Sequence, residues 1–154
     1  MSETIISRLA NLGIELPKAA TPAANYVSYM QTGSLIFTSG QLPLKDGKLI
    51  STGKLGAELD VDAGQEAAKQ CAINILSQLE AATGDLETII RIVKLTIFVA
   101  STPDFTSQHL VGNGASDLLV AVLGDKGKHA RSAVGVPCLP LNAPVEIEAI
   151  VEVG

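Results

Sequence analysis

Two charged residues near the C-terminal end of this 154-residue chain have the types and placement to do chemistry together: Arg131 and Glu146. Arginine presents a planar fork of donors that matches a carboxylate. A glutamate in a sheltered position can orient a water molecule or move a proton. Arg131 precedes a short apolar run, residues 132–136. Glu146 lies in a stretch where Val145, Ile147, Ala149, Val151 and Val153 alternate with Glu146, Glu148, Ile150 and Glu152. That period of two marks a strand with one buried face. Pro137, Pro140 and Pro144 fall between the two runs, where a missing N–H does no harm to a ladder. Pairing of the two strands would bring Arg131 and Glu146 to one end of a sheet. There they make either an exposed ion pair of little energetic consequence or a site. In a site, the arginine holds an anionic substrate and the glutamate handles a proton or a water.

The rest of the chain must supply the frame for these strands. A helix is expected over residues 3–12, capped by Ser2, with Ile5, Ile6, Leu9 and Leu12 on one side and Gly13 as its stop. Residues 14–25 read as an extended connection. Strands are expected over 26–31 and 35–39, joined at Thr32-Gly33-Ser34, and a further turn at Lys45-Asp46-Gly47-Lys48. Residues 49–61 read as loop with room for one short strand. The strongest helix is predicted over 62–83, with Asp62 as N-cap, Gln65 as its capping-box partner and Gly84 as its end. Its apolar stripe is Ala68, Cys71, Ala72, Ile75, Leu76 and Leu79, which makes Cys71 a core residue; Glu66, Lys69, Gln70, Ser77 and Gln78 lie opposite. Residues 89–99 are β-branched and apolar, as a central strand requires. Residues 104–123 read as helical but interrupted at Gly112 and Gly114, with the regular part starting at Asn113 or Gly114. The pattern predicts an α+β fold: a mixed β-sheet with two helices packed on one face. The other face has no helix to cover it, so self-association is expected there.

Composition narrows the function. The chain is 47% hydrophobic but only 3% aromatic, so the core must be Val, Ile, Leu and Ala. A net charge of −5 argues against a nucleic-acid surface, which needs clustered Lys and Arg. No apolar run is long enough to span a membrane, and residues 1–13 lack the basic-then-apolar order of a secretory signal. Two distant cysteines, Cys71 and Cys138, outside any Cys/His cluster, fit a cytoplasmic protein with ordinary thiols and no metal site.

The segment Ala130-Arg131-Ser132-Ala133-Val134-Gly135-Val136, then Leu139-Pro140, then Val145-Glu146-Ile147-Glu148-Ala149-Ile150, resembles the C-terminal signature of the YjgF/RidA family of reactive-intermediate (enamine/imine) deaminases. The resemblance covers roughly residues 24–153 and leaves residues 1–23 as an N-terminal helix and linker extension of a single 1–154 domain. It implies a YjgF-like (chorismate-mutase-like) fold assembled as a homotrimer. The sheets would form a central barrel and the active sites would lie in clefts between subunits. Carried over residue by residue, it implies that Arg131 binds the substrate carboxylate and Glu146 positions the attacking water. It further implies that Tyr26 lines the cleft, that Ser39 and Gly40 of Phe37-Thr38-Ser39-Gly40-Gln41 meet the substrate, and that Asn113 is the helix asparagine. Ala133 stands where the archetype often has a cysteine, so the resemblance carries no thiol role here. Each has a plainer reading as well: Tyr26 as packing, Ser39-Gly40 as a strand end, Asn113 as a helix cap. His109 and His129 read as isolated surface or capping residues, Asp117 as a solvated helix residue, and Glu148 as a structural neighbour of Glu146.

The activity so implied is hydrolysis of 2-enamine or 2-imine acids to 2-oxo acids and ammonia, with no metal or organic cofactor required. The alternatives are a non-catalytic trimer that senses small carboxylates such as 2-oxo acids, an endoribonuclease, and a chorismate-mutase-like pericyclic enzyme. The acidic balance and the paucity of aromatics count against RNA.

Overall fold

The structure is a computed structural model and describes residues 3–22 and 24–154. Its centre is a five-stranded mixed sheet built from β1 (Tyr29–Thr32), β2 (Leu35–Thr38), β5 (Ile89–Ala100), β6 (Ala130–Val136) and β7 (Val145–Val153), in the order β1-β2-β7-β5-β6. Every pairing is antiparallel except β5 with β6. A parallel neighbour needs a crossover, and α3 (Gln108–Leu123) supplies it. The expected pairing of the last two strands is therefore corrected. The crossover lays β6 on one flank of β5, and β7 pairs with the other flank.

Local chemistry explains the turns. β1 and β2 close through Gly33 at φ 57°, a value that suits glycine. A small separate hairpin, β3 (Leu44–Lys45) and β4 (Lys48–Leu49), turns on Asp46 and Gly47, both at positive φ. Tyr26 lies before β1 rather than within it.

Helix α2 (Val61–Thr83) starts one residue earlier than its expected cap. Asp60, not Asp62, accepts from the Ala63 amide at 2.9 Å, and Gln65 turns away to donate to the Leu110 carbonyl at 2.8 Å. Gly84 ends it in the left-handed conformation. The first helix, α1 (Ile5–Asn11), is capped by Thr4, whose hydroxyl and backbone exchange hydrogen bonds with Ser7; Ser2 lies outside the described residues. Only Ile5 and Leu9 of its expected apolar side are buried, while Ile6 and Leu12 are exposed. α1 leans on α3, with Arg8 donating to the Val122 carbonyl at 3.2 Å.

Helices α2 and α3 pack on the same sheet face. The core between them holds Ile36, Leu95, Ile97, Ile147 and Val151 from the strands and Cys71, Ile75, Leu76, Leu119 and Val122 from the helices. Every large side chain that is fully buried is Ile or Leu, each contributing about 1.5–3 kcal/mol. The outer side of α2 is covered too, against expectation. Gln70 donates to the Leu44 carbonyl, Asn74 to those of Leu42 and Leu44, and Gln78 to that of Ala20. The connections at 14–22 and 42–50 run over it, and their free carbonyls need these amides. On the opposite sheet face, Met30, Phe37 and Val134 are 60%, 40% and 45% exposed. Among the described residues no helix is long and apolar enough to cross a membrane.

Candidate functional site

Arg131 is the second residue of edge strand β6 and lies opposite Leu95. Leu95 is fully buried toward the helices, and paired residues share a face. Arg131 therefore rises on the helix side and meets α3. Its Nη1 donates to Ser116 Oγ and its Nη2 to the His109 carbonyl, each at 3.0 Å. Gly112 lets it lie close, since a Cβ there would stand 3.2 Å from Nη1. Both acceptors are neutral. Among the described residues Arg131 has no carboxylate partner, and three of the five guanidinium N–H donors have no protein acceptor.

The surroundings of Arg131 correct the expected break in α3. The helix runs unbroken through Gly112 and Gly114. Those glycines serve close approach: a Cβ at Gly114 would overlap the Gln65 carbonyl, lying 2.8 Å from its carbon. Asn113 is thus a half-buried mid-helix residue and not a cap. With His109, Gly112 and Ser116 it occupies one stripe by i, i+3 and i+4 spacing. Ala133 follows Arg131 on the same face, opposite Ile97, and packs on the core.

Glu146 sits opposite Phe98, on the face away from the helices. It is not paired with Arg131, so the exposed ion pair is absent. Its carboxylate lies over Gly40, where a Cβ would be 2.8 Å from Cδ. Glycine at 40 is what admits it. Burial, and then the like charge of Glu148, raises the Glu146 carboxyl above its ordinary range. Beneath it, Cys71 Sγ meets the Val145 carbonyl at 3.7 Å. Burial first and Glu146 second push that thiol well up, so it has the character of an unreactive core residue.

Ser39 adjoins Gly40, but its hydroxyl is spent on the Val27 carbonyl at 2.6 Å. Ser39 and Tyr26 line a shallow groove of about 470 Å³ with Val27, Met30 and Phe37. A larger cavity of about 760 Å³ lies elsewhere, between the 12–18 connection and α2, and none of the candidate residues line it.

The candidates thus fall into two groups. Arg131, Asn113 and Ala133 gather where β6 meets α3. Glu146 and Gly40 touch each other, and Ser39 and Tyr26 continue from them. The expectation that Arg131 and Glu146 meet at one end of the sheet is not met within a single chain, because β5 separates their strands and they face opposite sides.

The sequence reading missed His129 and Ser116. His129 is half-buried, with Nε2 at 2.8 Å from Ser116 Oγ and Nδ1 at 2.5 Å from the Gly127 carbonyl. It is neither isolated nor a plain surface residue. The stripe His109–Gly112–Asn113–Ser116 was the signal available for Ser116; nothing in spacing marked His129.

The chain matches the family described as "YjgF/chorismate mutase-like, putative endoribonuclease" over residues 6–153, so the match takes in most of α1. It is 52% identical over 152 residues to protein TCP17 of Trypanosoma cruzi, covering 98% of this chain and 95% of that one. The crystal structure of Atu1372 from Agrobacterium tumefaciens superposes with a TM-score of 0.92 at 53% identity, over 97% of this chain and 92% of that chain. The Escherichia coli protein named "Putative reactive intermediate deaminase TdcF" is 31% identical over 137 residues, covering 89% of this chain and 93% of its own length. Its crystal structure with bound serine superposes at a TM-score of 0.66, with 26% identity over 89% of this chain and 94% of that chain.

Proposed function

This chain belongs to the YjgF family, and from that premise we propose that it hydrolyses 2-imino acids, and the enamines in equilibrium with them, to 2-oxo acids and ammonia. The observation that carries the reading is the state of Arg131. Here is a half-buried arginine held by two neutral acceptors, with no acid among the described residues to neutralise it and donors to spare. A small carboxylate would complete it through two parallel charge-assisted bonds.

The chemistry follows from the second group. An imine carbon next to a carboxylate is electrophilic. Glu146 takes a proton from a water, the water oxygen bonds to that carbon, and the C=N electron pair moves to nitrogen. Returned to nitrogen, that proton gives the carbinolamine; Glu146 then takes the hydroxyl proton and passes it to the amino nitrogen, so that the C–N bond breaks and ammonia leaves as the C=O forms. A carboxylate with a raised proton affinity suits both transfers, and burial raises that of Glu146. Backbone at Gly40, beside Glu146, offers a close approach for the substrate's other end. The reaction is intrinsically easy, so orientation supplies most of what is needed.

The separation of the two groups bears on assembly. Along β5 the partners of Arg131 and Glu146 are three residues apart, about 10 Å, and the strands are two spacings apart, about 9.6 Å. The opposite facing adds to this. One copy offers no short path between the two groups for a three- or four-carbon acid. A cleft formed by Arg131 of one copy and Glu146 of another, in a homotrimer, brings the two together. That TdcF is seen with serine bound fits a site scaled to a small amino-acid-like ligand.

The test separates binding from turnover. Amino-acid oxidase supplies imines, semicarbazide traps them, and the protein is expected to suppress the trapped product. Arg131→Ala is expected to lose both turnover and 2-oxo acid binding. Glu146→Gln is expected to bind 2-oxo acids within about threefold of the parent while losing turnover at least a hundredfold. Full turnover in that variant would sink the mechanism; a parent chain that binds but never turns over would leave a carboxylate sensor. Co-refolding the two inactive variants is expected to restore activity in about one cleft in four. No restoration would count against a site shared between copies.

A further inference from the structure

We propose that Ser116 and His129 are positioning residues that set the Arg131 guanidinium for carboxylate capture; the inference rests on reading Arg131 as the carboxylate clamp. The hydrogen-bond chain has a fixed direction. A carbonyl oxygen only accepts, so His129 Nδ1, 2.5 Å from the Gly127 carbonyl, carries the proton. In the neutral ring Nε2 is then an acceptor, and the partner 2.8 Å away is the Ser116 hydroxyl, which donates. With its proton turned toward His129, Ser116 Oγ presents lone pairs to Arg131 Nη1 at 3.0 Å. The His109 carbonyl holds Nη2 from one side of α3 while Ser116 holds Nη1 from two turns further along. Two anchors fix the plane of the fork.

Each part of this arrangement has an alternative that would not serve. An aspartate in place of Ser116 would pair with the arginine and cancel the charge that a substrate carboxylate needs. A serine inside a helix with no outside partner turns back to the carbonyl four residues earlier, here that of Gly112, and releases the guanidinium. His129 prevents that turn. The ring is itself oriented by Gly127, whose tight packing admits no side chain: a Cβ there would lie 2.7 Å from the Leu119 carbonyl carbon. The chain of contacts runs from the α3–β6 connection through His129 and Ser116 to Arg131, two residues after the histidine.

Calorimetric binding of 2-oxobutanoate and the imine-trapping assay test this on the full chain. Ser116→Ala and His129→Ala are each expected to weaken binding and raise KM for 2-imino acids roughly three- to tenfold, with kcat at saturation little changed. His129→Gln, which can place an amide near the Nε2 position, is expected to recover most of the loss. An imine made from an amino-acid amide, which lacks the carboxylate, is expected to be hydrolysed equally by parent and variants. A loss that falls equally on the amide-derived imine would show a general structural role and overturn the proposal. So would unchanged binding and KM in both alanine variants while Arg131→Ala is defective. Should Arg131→Ala itself bind normally, the clamp reading fails and this inference with it.

Discussion

Arg131 and Glu146 are both charged groups left without an opposite charge among the described residues. For Glu146 that has a thermodynamic consequence. Its folded-state proton affinity is raised, by burial and then by Glu148, above the ordinary value of 4.5. The folded chain thus holds this proton more tightly than the unfolded chain does. The resulting stabilisation is fully present below the ordinary value and is lost as pH rises through the raised one. Glu146→Gln cannot ionise, so as a dissociated single chain, with no neighbouring copy's arginine beside it, it is expected to unfold at a higher temperature than the dissociated parent at pH 7. The gap should close as pH falls below the ordinary carboxylate range. Thermal unfolding of both proteins across that window checks the point; a gap independent of pH would mean the carboxyl is not strained. At this scale the arginine fork and the glutamate in an alternating strand stood out in the sequence as candidates by residue type alone. His129 did not, because a histidine declares its role only through what its two nitrogens touch.

At the scale of elements, α3 is the instructive case. Two glycines in seven residues read as a break, since glycine costs about 1 kcal/mol relative to alanine inside a helix. The break does not occur, because Gly114 lies against the Gln65 backbone of α2 and Gly112 lies under the Arg131 guanidinium. Contact with α2 and the sheet outweighs propensity. Gly114→Ala should therefore invert the usual helix rule and destabilise by about 1–3 kcal/mol through overpacking, seen as a lower urea midpoint. A stabilised variant would show that α2 and α3 have room to part. The caps shifted for a smaller reason. Asp60 caps α2 two residues before the expected Asp62, and Thr4 caps α1, a choice that depends on where the chain leaves the loop.

At the scale of the molecule, the sheet has one face under helices and one without. Met30, Phe37 and Val134 stand on the uncovered face, and Glu146 and Glu148 share it. A second and third copy covering that face would bury these side chains and could bring the Arg131 group of one copy to the Glu146 group of the next. Phe37→Glu is expected to shift the chain from the proposed homotrimer to a monomer in sedimentation velocity and to abolish the proposed imine hydrolysis together. A parent chain that sediments as a monomer at micromolar concentration would overturn both expectations.

What the sequence determined by itself was local and periodic. The alternation over 145–153, the turns at Gly33 and at Asp46-Gly47, the apolar stripe holding Cys71 and the all-aliphatic core were legible because each follows from a repeat or a turn preference within a dozen residues. The tertiary structure alone decided that β5 lies between β6 and β7, that Arg131 and Glu146 face opposite sides, that the outer side of α2 is covered, and that His129 holds Ser116. Each of these depends on which distant segments come together, and strand order or helix approach leaves no periodic trace in the residues it joins.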